Sequence, residues 1–227
     1  AADIEFTFEC NIEDINEDLL LFLKKNGVNR LSIGIESFNE KLLRVLGRDY
    51  SSDIINDKII LAQKFFSNIN VDLIYGINGE SLNDLKEELN KFILLGVNHI
   101  SIYSLILEDN TMLKINNYKE IDEDLNRDMY DYIVEFLESK GYIQYEISNF
   151  SKKGYESKHN LTYWNNDRYY GFGLGASGYI ENIRYTNTRS LSKYISGNYI
   201  SFKEDVNSKT DMENFMILGL RKIKGVS

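Results

Sequence analysis

Three apolar runs decide the fold: IEFTFE at residues 4–9, NRLSIGIESF at 29–38 and NVDLIYG at 70–76. Each carries an acid at or near its end, namely Glu9, Glu36 and Asp72. Apolar runs separated by helical patterns are the sequence form of a parallel β/α layer. Such layers bind ligands beyond the carboxyl ends of their strands, which is where these acids fall. The expectation is a barrel-type ligand site assembled from strand ends.

Outward from these runs the alternation continues. A helix is expected from about residue 16, with Leu19, Leu20, Phe22 and Leu23 on its apolar face and Gly27 past its end. Residues 39–46 and 52–66 form two more, the second repeating Ile55, Ile59, Ala62 and Phe66 at helical spacing. Ser81 and Asp84 make a capping-box signature for a helix carrying Leu85, Leu89 and Phe92. HISIYSLIL at 99–107 reads as a fourth strand, 122–140 as a helix and 142–147 as a fifth strand. Five such units predict parallel pairing with right-handed crossovers, in a barrel or an open sheet. Beyond Asn149 the pattern changes. Residues 155–185, rich in Tyr, Asn and Gly, have no helical period and read as a functional loop or a small β appendage.

A chain of 227 residues with 43% hydrophobic and 27% charged residues can build its core without cross-links. A net charge of -9 and the lack of a basic stripe argue against nucleic acid as a partner. No apolar run approaches a transmembrane segment and no basic-then-apolar leader is seen, so the expected location is cytoplasmic. Cys10 is the sole cysteine, which excludes an internal disulfide and a cysteine-rich metal site; no metal site is expected from this chain alone. Proline is absent, leaving turn-making to Asn and Gly.

By residue type, Glu9, Glu36 and Asp72 can accept hydrogen bonds from ribose hydroxyls or an ammonium group, and Arg48 can hold a carboxylate by a two-pronged contact. Helix caps and solvated turns use the same residue types, and spacing does not decide between the two. YYGFGLGASG at 169–178 sets Gly173, Gly175 and Gly178 in the spacing G-x-G-x-x-G. A dinucleotide fingerprint needs a buried strand before it and a helix after it; here NNDRYY precedes and the strand-like YIENIRY follows, so that reading is rejected. What remains is a backbone that approaches something flat or another chain segment, or a bulged glycine turn without a ligand. His99 opens a strand and reads as structural. His159 lies in KHNLTYW with Trp164, read as a polar loop, where an imidazole beside aromatics can ligate a metal or haem iron. No catalytic triad or nucleophile motif is present.

Taken in order, NRLSIGIESF, LGR, NVDLIYG, HISIYSL, GYIQYEISNF and HNLTYW followed by GFGLGAS resemble the radical S-adenosylmethionine (radical SAM) family of oxygen-independent coproporphyrinogen III oxidases and their haem-chaperone relatives. The closing MILGLRKIKGVS is similar to the start of that family's C-terminal domain. The resemblance implies an α/β fold: a partial (β/α) TIM-like barrel over residues 1–150, then a loop-rich α+β extension over 151–227. It implies that Glu9, Glu36, Arg48 and Asp72 match positions that contact S-adenosylmethionine. The acids would take ribose or methionine-amine contacts and Arg48 the methionine carboxylate, with Gly173, Gly175 and Ala176 as further cofactor-binding candidates. The block of His159, Asn160, Tyr163 and Trp164 is similar to the haem-chaperone branch, which makes His159 and Trp164 the haem candidates.

Departures from that family qualify the expectation. Its members hold a [4Fe-4S] cluster by the three thiolates of a CxxxCxC motif, and here Cys10 stands alone. The chain is therefore expected to be a fragment without the cluster segment, inactive by itself, the cluster belonging to the full-length protein only. Glu36 stands where family members usually carry Gln, and Asn78 and Ile12 stand in place of prolines. The resemblance implies a chaperone that binds S-adenosylmethionine and haem or porphyrin and passes haem to an acceptor protein. The alternative is an oxidase in which a 5'-deoxyadenosyl radical removes hydrogen from propionate side chains, with decarboxylation to vinyl groups.

Overall fold

Along the second strand Arg30, Ser32 and Gly34 alternate with buried Leu31, Ile33 and Ile35, and this two-residue period organises the main sheet. The computed structural model describes residues 4–107, 109 and 111–226; Ser227, the last residue of the closing motif, lies outside them. The chain divides into two compact units, Ala1–Glu156 and Ser157–Ser227.

The first unit runs β1 (Thr7–Asn11), a 3-10 turn (Ile12–Asp14), α1 (Glu17–Lys25), β2 (Arg30–Glu36), α2 (Glu40–Val45), α3 (Asp53–Gln63), β3 (Ile69–Tyr75), α4 (Leu82–Leu94), β4 (His99–Ser104), α5 (Met112–Ile115), α6 (Glu123–Ser139), β5 (Ile143–Glu146) and β6 (Asn149–Ser151). Among the described residues its strands form one sheet in the order β1-β2-β3-β4-β6-β5. β1 to β4 are parallel, with Glu9 opposite Ser32, Gly34 opposite Asp72 and Asp72 opposite Ser101. Among the described residues β1 forms one edge of the sheet and is paired with β2 alone.

The end of the sheet departs from the expected run of parallel neighbours. β5 keeps the parallel direction, but β6 turns back and inserts between β4 and β5, antiparallel to both. Ile147 and Ser148 alone join β5 to β6, a connection short enough only for a hairpin, whereas a parallel crossover needs a dozen residues or more. The fourth strand also stops at Ser104, short of residue 107.

The apolar face of the sheet, including Leu31, Ile33, Val71, Leu73, Ile100 and Ile102, packs under helix residues Leu20, Ile55, Ile59, Leu89, Phe92, Met129 and Ile133. Each such side chain contributes about 1.5–3 kcal/mol when fully buried. A one-residue slip would carry the whole row to the other face, so this burial fixes the register and, with it, the positions of the strand-end acids. The capping box forms, with Asp84 N donating to Ser81 Oγ (3.2 Å) and Ser81 N to Asp84 Oδ2 (2.8 Å).

The second unit holds α7 (Lys158–Trp164), β7 (Ser177–Ile180), β8 (Ile183–Asn187), α8 (Leu191–Ile195), β9 (Ile200–Asp205) and α9 (Ser208–Gly219). Its strands form an antiparallel sheet in the order β7-β8-β9. His159 therefore sits in a helix, and the loop expected there is corrected. Ser157 starts the helix by accepting from Asn160 N at 3.2 Å, but seven residues without a buried side chain give no apolar period to read.

Candidate functional site

The polar residues of the alternation meet on one face of the main sheet. Glu9, Glu36, Arg48 and Asp72 line a single cleft of about 250 Å³, joined there by Asn11, Ser32 and Gly34. Beneath Asp72 lies a hydrogen-bonded floor. Asn70 donates to Ser32 Oγ (2.9 Å) and to Asp72 Oδ1 (2.8 Å), while its oxygen accepts from Ser101 Oγ (3.0 Å) and contacts His99 Nδ1 (2.6 Å). With Asn70 Oδ1 as acceptor, His99 carries its proton on Nδ1, and Nε2 accepts from Tyr145 OH (2.8 Å). Burial holds His99 well below its ordinary pKa, so the ring is neutral and structural.

Glu36 owes its position to an unusual turn. Residues 34 to 36 carry a bulge against β3, and Ser37 N donates to Ile35 O at 2.8 Å across Glu36, whose φ is 61°. A γ-turn of this hand is rare and strained for a residue with a Cβ, and it persists only where its surroundings hold it. Here the buried Glu88 of α4 accepts from Ser37 Oγ and from Phe38 N, both at 2.8 Å, and Tyr50 OH donates to Ile35 O. The turn folds the Glu36 carboxylate back over Gly34, where a Cβ would stand 3.1 Å from Glu36 Oε1.

Charge in the cleft is only partly balanced. Arg48 donates from Nη2 to Glu36 Oε1 and from Nη1 to Asn11 Oδ1 (3.3 Å). The hydrogen bond to Glu36 holds the guanidinium above its ordinary pKa. Glu36 Oε2 is buried with no hydrogen-bond partner among the described residues, an acceptor that a ligand hydroxyl or ammonium group would satisfy. Burial pushes Asp72 up to about 6 despite its hydrogen bond from Asn70, and Glu9 and Glu36 add repulsion. The set fits a ligand that brings a cation and hydroxyl donors to the acids and a carboxylate to Arg48.

It does not fit an iron–sulfur cluster. Cys10 is the one cysteine, and burial, aided by Asp14, Asp72 and Glu9, pushes its thiol up to about 12, so it stays protonated. Its sulfur instead points to Ser32 O at 3.8 Å.

In the second unit His159 and Tyr163 share one side of α7, with an edge-on ring contact at 4.7 Å, and Tyr163 meets Tyr169 in the same way at 4.6 Å. Trp164 has Arg221 over its ring at 4.3 Å, and its buried indole N–H has no hydrogen-bond partner among the described residues. Gly173 and Gly175 both have positive φ, 93° and 71°, and Ala176 O accepts from Asn187 N at 2.8 Å just before β7. Gly178 lies within β7, which confirms that no helix follows the glycine cluster.

The structure thus gathers Glu9, Glu36, Arg48 and Asp72 in the first unit, and places His159, Trp164, Gly173, Gly175 and Ala176 in the second. Sequence reasoning passed over Asn11, Ser32 and Asn70. Their signal was the same two-residue period, since each stands two residues from an acid or from a glycine of the cleft.

Residues 1–92 match the radical SAM superfamily model. Across 230 residues the chain is 40% identical to the heme chaperone HemW of Lactococcus lactis subsp. lactis (strain IL1403), covering 98% of this chain and 61% of that protein. With the heme chaperone HemW of Bacillus subtilis (strain 168) it shares 38% identity over 98% of this chain and 62% of that protein. Among solved structures it is similar to coproporphyrinogen III oxidase (HemN) from Escherichia coli, described as a radical SAM enzyme, with a TM-score of 0.82 and 20% identity. That likeness covers 97% of this chain and 56% of that one, and it is a likeness of fold. The polar strand ends and the mostly parallel sheet are those of a radical SAM barrel segment. Residues 1–92 carry the radical SAM match, and along 98% of its length the chain is similar to heme chaperones. It spans about three fifths of the length of the curated relatives it matches.

Proposed function

We propose that this chain serves in a radical SAM haem chaperone, binding S-adenosylmethionine on its first unit and haem or porphyrin on its second for transfer to an acceptor protein. The observation that carries this reading is the identity to heme chaperones along 98% of the chain, which favours transfer over porphyrin oxidation. In the cleft, Arg48 takes the methionine carboxylate; Asp72 and Glu9 take the ammonium group and ribose hydroxyls; the free oxygen of Glu36 accepts a further donor. Gly173, Gly175 and Ala176 offer an approachable backbone as further cofactor-binding positions. His159, exposed on α7 and braced by Tyr163, supplies an imidazole to haem iron, and Trp164 anchors the base of that helix through Arg221. S-adenosylmethionine would supply a sulfonium and an adenosyl group. The thiolates for a cluster are not among these residues, and no step is assigned to one. Among the described residues no helix is long and apolar enough to cross a membrane, and we place the protein in the cytoplasm.

Titration of the chain with hemin, followed by absorbance, tests the reading. Saturable binding that weakens at least roughly tenfold in His159→Ala supports it. Unaltered binding in that variant removes His159 from the site, and absence of binding in the unmodified chain removes the chaperone reading.

A further inference from the structure

Tyr170, Phe172 and Leu174 alternate with Gly171, Gly173 and Gly175, and all three apolar side chains stand in solvent, Tyr170 at 68% and Phe172 at 83% exposure. Such exposure usually accompanies a mobile loop, but this backbone is pinned on its glycine side. Gly171 N donates to Tyr185 OH (2.9 Å), Gly173 N to Tyr194 OH (2.9 Å) and Gly175 N to Thr188 O (3.1 Å). The Asn187 amide donates to Gly171 O (3.2 Å) and Gly173 O (2.8 Å). At the base, Tyr169 and Tyr179 exchange backbone hydrogen bonds at 2.9 and 2.8 Å. The glycines permit this closeness: a Cβ on Gly171 would stand 2.1 Å from Ser177 O.

The two outward rings are stacked, with centroids 5.8 Å apart and planes 9° from parallel. Arg189 packs its stem against Gly175, three residues on from Phe172, with a Cγ that a Cβ there would meet at 3.4 Å. It is exposed, and among the described residues no ion pair takes its charge. A preorganised pair of parallel rings, with a cation against the same glycine strip, complements a flat apolar macrocycle that carries carboxylates at its rim.

From this geometry we infer a second porphyrin contact, separate from His159: the Tyr170–Phe172 pair is a stacking platform for a tetrapyrrole face, and Arg189 receives a propionate. The inference rests on the haem reading above and names how the ring, rather than its iron, is held. It therefore applies to metal-free porphyrin as well.

The test uses the intact chain, titrated with protoporphyrin IX, with its dimethyl ester and with hemin. A Tyr170→Ser/Phe172→Ser double variant should lose at least roughly tenfold in affinity for protoporphyrin IX and for hemin, while Phe172→Trp keeps binding and shows quenched fluorescence. Arg189→Gln should weaken protoporphyrin IX and leave the dimethyl ester unchanged. Normal porphyrin affinity in the double variant, with a native far-UV spectrum, overturns the platform. Equal losses for acid and ester in Arg189→Gln overturn the propionate contact. Hemin binding that depends on His159 but not on Tyr170 and Phe172 overturns this inference while leaving the haem reading intact. A chain that binds none of the three ligands overturns both.

Discussion

Glu36 and Arg48 close on each other in the cleft, so the cation best placed for a ligand carboxylate already holds an internal one. A ligand carboxylate must share or displace this partner. Glu36→Gln keeps the side-chain shape and an acceptor but frees the full charge of Arg48. We expect S-adenosylmethionine to bind roughly tenfold more tightly to that variant, equivalent to about 1.4 kcal/mol, by isothermal titration. Weaker binding would show that the negative charge of Glu36, and not only an acceptor oxygen, is needed at its contact with the ligand.

Glu88 should govern the same site without touching it. Its two oxygens hold Ser37 and Phe38, and Glu88→Ala leaves the Ser37 hydroxyl proton and the Phe38 amide without an acceptor. The expected cost is about 3 kcal/mol of stability in urea titration. Glu88→Gln retains one acceptor and should lose about 1 kcal/mol. If the turn relaxes as this predicts, S-adenosylmethionine affinity falls in both variants in proportion.

Asp72 makes stability depend on pH. Its folded value of about 6 lies above the ordinary 3.8, so the folded state binds the extra proton in between. Stability is therefore fully present below about 4 and falls as pH rises to about 6, a loss on the order of 3 kcal/mol. Asp72→Asn should match the unmodified chain at pH 4 and exceed it at pH 7.5 in chemical denaturation. A cationic ligand prefers the ionised acid, so its affinity should rise across the same interval and be flat in the variant.

Gly178 is buried in β7 against Tyr185, and a Cβ there would stand 2.3 Å from the ring. Gly178→Ala must displace the tyrosine whose hydroxyl receives Gly171 N. We expect a loss of about 1–3 kcal/mol, seen as a lower thermal midpoint of the second unit. An unchanged midpoint would mean that Tyr185 is free to move.

The first four strands can be read in the sequence because each is a short apolar run set between helical patterns, and the first three carry an acid at or near their ends. The gathering of Glu9, Arg48 and Asp72 follows from that register. The turn at Glu36 leaves no compositional mark, since glutamate rather than glycine occupies the positive φ and the residue that stabilises it is 52 positions away on α4. β6 is three residues long and fully buried, too short for a period. α7 hides for the opposite reason, having no buried side chain to create one.

The strand that opens the sheet has a consequence for handling the chain in solution. Among the described residues β1 is bonded on one side, and its flank carries the half-exposed rings of Phe6 and Phe8. An unsheltered row of backbone donors and acceptors is a template for a second chain. Concentrated samples will self-associate through residues 7–11, sedimentation will show species that grow with concentration, and a lysine in place of Phe8 will keep them apart.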